Sequence, residues 1–91
     1  MSGDALAELL RVLVEQQRAE DAAARAAWLL AESEEADPPR PKEVARARER
    51  YETAVAAVET ARVRRREIEA QIAPAEVARA HAMLAATAEP L

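Results

Sequence analysis

Apolar side chains recur along residues 42–72 at alternating steps of three and four: Val44, Ala47, Tyr51, Ala54, Val58, Ala61, Arg65, Ile68 and Ile72, with Arg65 the one interruption. That spacing keeps one stripe of a helix turned toward a partner. A stripe this narrow buries nothing until another helix covers it. The chain must therefore supply the partner itself or recruit one.

The same period runs upstream. Leu9, Val12, Gln16, Ala19, Ala23, Ala26 and Leu30 form a second stripe, widened by Leu6, Leu10, Leu13 and Ala27. It predicts a helix over about 4–36, started by Ser2 or Asp4, either of which can cap free backbone N–H groups. Asp4 and Glu8 add negative charge at the positive end of the helix dipole. Asp37-Pro38-Pro39-Arg40-Pro41 then predicts a stiff turn at 37–41, because proline cannot donate a backbone hydrogen bond and restricts the residue before it. Pro41 suits the first turn of the next helix, about 42–72, where its missing N–H costs nothing. Pro74 starts a third helix, about 75–88, with Val77, Ala80, His81, Leu84 and Ala88 on one face; Glu89-Pro90-Leu91 should fray.

Two helices of a little over thirty residues, each about 45–50 Å long, joined by a short connector, predict an antiparallel hairpin. The expected fold is therefore all-α: a single helical domain over residues 1–91, built as a coiled-coil-like helical hairpin with a short third helix. Pairing back from the turn sets Trp28, Leu29 and Leu30 near Val44, Arg48 and Tyr51. In the middle, Ala19, Ala23 and Ala26 face Ala54, Val55, Val58 and Ala61. At the open end, Leu6, Leu9, Leu10 and Leu13 meet Ile68 and Ile72. Arg65 then lies in the seam, where a charge needs a partner or water, and it is expected to snorkel outward or to pair with Glu15. Trp28 and Tyr51 are expected to form one aromatic contact, in the core or anchoring an interface. The third helix should fold back on the open end, or cross to a second subunit.

Composition changes this picture in one respect. Half of the 91 residues are apolar, but most of those are Ala, with no Phe, one Trp and one Tyr. Since transfer free energy scales with apolar area, a lone chain should be modestly stable, which favours self-association. Charge sharpens the hairpin further. Residues 1–37 carry −6, residues 38–73 carry +3 and the remainder −1, so two long helices of opposite sign can lie side by side. Within the first helix, Arg11, Arg18 and Arg25 follow Glu8, Glu15 and Asp21 by three or four residues, the spacing of surface ion pairs.

Visible catalytic apparatus is lacking. His81 is the only histidine and there is no cysteine, so a metal site would rest on carboxylates alone. Ser and Thr residues have no accompanying base or glycine elbow, and one glycine cannot make a phosphate-cradling loop. We expect no enzyme, no cofactor, no metal and no small-molecule substrate. Arg62-Val63-Arg64-Arg65-Arg66 suggests nucleic acid, yet five consecutive helical residues point around more than a full turn. They read better as partner charges for the acidic first helix, and a nucleic-acid-associated regulator is the alternative function. No apolar run spans a bilayer and no basic leader is present, so the chain is expected to be cytoplasmic. The leading expectation is a scaffold or adaptor acting through protein–protein contact as a homodimer or with another helical partner; a phage or secretion-system structural component is a variant of it. Candidate interaction residues are Trp28, Tyr51, Leu30, Arg62, Arg65 and Leu84.

Overall fold

In a computed structural model, which describes residues 2–88 with the side chains of 2, 87 and 88 excepted, the chain forms three helices and, among the described residues, no strand. Helix α1 spans Ser2–Glu35, α2 spans Pro41–Glu69 and α3 spans Pro74–Ala88. The two long helices pack along their length as a hairpin, and α3 folds back onto α1. The expected fraying of residues 89–91, the cap by Ser2 and the place of Ala88 on the third helix's face lie outside what is described.

Helix limits follow the prolines, with one difference. Arg40 is the N-cap of α2 in extended geometry (φ −98°, ψ 112°), and its carbonyl accepts the Val44 N–H at 3.0 Å. Pro41 occupies the first turn, as its fixed φ and missing N–H allow. At the other end α2 stops at Glu69, short of the expected Ile72. The Gln71 N–H donates to Ile68 and the Ile72 N–H to Glu69, at 3.0 and 3.2 Å, so the last turns tighten to three-residue steps. Pro74 disfavours helical geometry at Ala73, whose carbonyl instead accepts the first N–H groups of α3. Ile72 therefore serves the core from a turn.

The core sits at the open end, where the large side chains are. Leu9, Val12, Leu13, Ile68 and Ala80 are buried together, with Leu6, Leu10, Ile72, Val77 and Leu84 packed against them. Ala80 is fully enclosed, which lets α3 approach α1 closely. Toward the turn the seam is Ala-rich and Val58 is its one buried side chain. No polar or charged residue is buried among those described.

The molecule is consequently elongated. Its extents are 56 × 32 × 15 Å and its radius of gyration 17.2 Å, against roughly 12 Å for a globular chain of this length. A helix with its side chains is about 10–12 Å across, so the slab is little more than one helix thick. Both broad faces meet solvent.

Candidate interaction surface

Opposite charge on the two long helices is realised as contacts between them. Arg62 reaches Glu20 at 3.4 Å, Arg48 reaches Glu34 at 3.6 Å, and Arg64 lies 3.9 and 4.0 Å from Glu8 and Glu15. Arg66 turns back along its own helix to Glu59 at 3.3 Å. The dense basic run is thus distributed around α2 and supplied with carboxylates. The expected ion pairs within α1 do not form among the described residues; Glu8 and Glu15 instead lie near Arg64 of the neighbouring helix, and Asp21 accepts from the Gln17 amide at 3.2 Å.

Arg65 finds different partners from the one expected. Its Nη1 donates to Gln16 Oε1 at 3.1 Å and its Nε lies 3.4 Å from Glu69 Oε1. The Nε atom is itself buried without a well-directed acceptor. Glu69 also holds His81 Nε2 at 3.0 Å, and Gln16 passes its amide to Glu20 at 2.9 Å. A short polar chain therefore joins the three helices where the apolar core ends. Arg65 is drawn into it because a half-buried guanidinium needs acceptors close by, whereas Glu15 lies on the flank that Arg64 serves.

The remaining candidates are spread over the length of the molecule. Leu84 packs against the intramolecular core at the open end. Leu30 and Tyr51 are half-buried near the turn. Trp28 is not in the core: it is 63% exposed, and its neighbour Leu29 is 48% exposed. On α1, Leu30 takes the seam, and successive helical residues diverge by about 100°, so Trp28 faces away from α2. The expected Trp28–Tyr51 aromatic contact does not form within the chain: the indole is solvated on one face and the phenol is half-buried in the seam.

Beside Trp28 runs a feature the periodicity did not single out. Between α1 and α2 near the turn is a groove of about 420 Å³, lined by the apolar Ala22, Ala26, Leu29 and Ala47 and by Arg25, Arg46 and Arg50. Glu43 also lines it, but bonds Arg40 at 3.2 Å. Among the described residues, the three groove arginines make no ion pair. The signal was present in the chain as spacing: Arg46 and Arg50 are four apart and share a face of α2, and Arg25 follows Ala22 and precedes Leu29 on one side of α1.

Among the described residues no helix is long and apolar enough to cross a membrane, and no group of three His, Cys, Asp or Glu is arranged to hold a metal ion. Compared with known proteins, the chain matches no family model, no curated protein and no solved structure.

Proposed function

We propose that this protein is a non-enzymatic scaffold or adaptor that works in the cytoplasm by self-association through its helical hairpin. The observation that carries this reading is the exposed Trp28, with Leu29 beside it, on a chain almost without other aromatic side chains. An indole left in water forgoes roughly the burial of 150–250 Å², and Trp is enriched among the residues that anchor interfaces. A slab little thicker than one helix adds to the argument, since neither broad face has an internal layer to cover it. The chain has no cysteine, so it has no disulfide that would call for an oxidising compartment. Sedimentation or light scattering across a concentration series tests the reading. A dimer or higher oligomer growing in from the low micromolar range is expected, and a monodisperse monomer at high micromolar concentration would overturn it.

Nucleic-acid binding is the weaker reading, because Arg62, Arg64, Arg65 and Arg66 already face carboxylates or amides of this chain. Such binding would weaken steeply with salt and disappear when these arginines become Gln.

A further inference from the structure

We infer that the arginine-lined groove between α1 and α2 receives the Trp28 face of a second copy of this chain. This rests on self-association and specifies its surface. The groove combines an apolar lining, Ala22, Ala26, Leu29 and Ala47, with Arg25, Arg46 and Arg50, none of which has a carboxylate partner among the described residues. Its occupant should therefore be a helix bearing an apolar anchor flanked by free carboxylates. α1 carries that pattern on its outward face. Asp21, Trp28, Glu32 and Glu35 follow at steps of seven, four and three, which places them on one stripe. All four are exposed; Glu32 and Glu35 make no ion pair among the described residues, and Asp21 has only the neutral Gln17 amide.

Donor and acceptor surfaces lie side by side on the same stretch of α1, Arg25 three residues before Trp28 and Leu29 one after. That adjacency is what a two-fold axis needs, since each copy must offer its anchor and its groove to the other at one place. Crossing the two α1 helices antiparallel near Trp28 sets each indole over the other copy's Leu29. The same crossing brings Glu32 level with the partner copy's Arg25 and Asp21 toward the turn, where α2 supplies Arg46. Carboxylates thus meet guanidiniums in both halves. A parallel crossing instead brings Arg25 level with Arg25 and Glu32 with Glu32, which repels.

The test is a charge exchange followed by sedimentation equilibrium on the full chain. The variant Arg25→Glu/Arg46→Glu/Arg50→Glu reverses the groove, and Asp21→Lys/Glu32→Lys/Glu35→Lys reverses the anchor face. Each alone should weaken dimerisation at least about a hundredfold, and mixing the two should restore a dimer. Circular dichroism checks that both keep their helix. Trp28→Ser, which removes an exposed side chain and leaves the core intact, should weaken association at least about tenfold. In the wild-type dimer the indole emission should shift to the blue as concentration rises. If the wild type stays monomeric, both self-association and this interface fall. If it dimerises and the two reversed variants dimerise equally well, or do not complement each other, self-association stands and the groove assignment falls.

Discussion

Individual side chains divide into those enclosed at the open end and those held in polar contact beside it. Leu9 is wholly enclosed by α1, α2 and α3 side chains, and the rest of the chain has few large residues to fill a gap. Leu9→Ala should therefore cost about 2–5 kcal/mol in denaturant unfolding, enough to unfold much of a small domain at room temperature. Ala80 makes the opposite case. It is fully buried where α3 meets α1, so Ala80→Leu should overpack that contact and cost about 1–3 kcal/mol, whereas Ala82→Leu on the exposed side of α3 should leave the melting temperature nearly unchanged. For Arg65 the expectation runs the other way. Its side chain is 24% exposed, with Nε lacking a good acceptor, so Arg65→Met keeps the apolar stem and relieves a desolvated charge. Stability should hold or rise by up to about 1 kcal/mol; a loss larger than that would show that the Gln16–Arg65–Glu69 contacts carry the seam.

At the level of the helices, ends and pairing were written largely by proline and by charge. Pro41 and Pro74 each begin a helix as their spacing implied, because a residue with fixed φ and no N–H fits a first turn and little else. What α2 lacks is a side-chain cap: Arg40 occupies the N-cap position in suitable backbone geometry but makes no capping hydrogen bond. Arg40→Ser would place a hydroxyl there three residues before Glu43, completing a capping box. We expect a gain of about 1 kcal/mol, read as a higher unfolding midpoint, since the exposed Arg40–Glu43 pair that it removes is worth little. The pairs between α1 and α2 are likewise exposed and contribute at most about 1 kcal/mol each. Their role is to choose the partner and its direction. Arg64→Gln should change stability by less than about 1 kcal/mol; a larger effect in thermal melts would mean that Glu8 and Glu15 depend on it. Ile72 shows where pattern reading overran, because the apolar period continues through a residue that the backbone has already carried out of the helix.

Taken whole, the chain is a long slab with its apolar mass at one end and its exposed indole toward the other. The Ala-rich half near the turn pairs its helices on small side chains, with Val58 its one buried residue, and Trp28, 63% exposed, adds little to that packing. Self-association through this half should make unfolding depend on protein concentration. We expect the melting temperature of the wild type to rise across a hundredfold concentration range and that of Trp28→Ser to stay level. A melting temperature independent of concentration in both would place the stability of the turn end within the single chain.

Reading residues in order was enough to find three helices, their approximate limits and the antiparallel hairpin. Each of those depends on local quantities: a three-four period, the chemistry of proline and the sign of charge along a segment. That α3 folds back on its own chain rather than crossing to a second subunit came from the tertiary structure. Which way individual side chains turn depended on neighbours far away in the chain. Of the two places expected for Trp28, core or interface, the core is excluded because Leu30 takes the seam two residues later, and a helix cannot present both. Arg65 found Gln16 and Glu69, and not Glu15, because Arg64 on the adjacent flank lies closer to that carboxylate. The groove of Arg25, Arg46 and Arg50 exists only once α1 and α2 lie side by side, since its walls come from separate helices and neither wall is a motif alone.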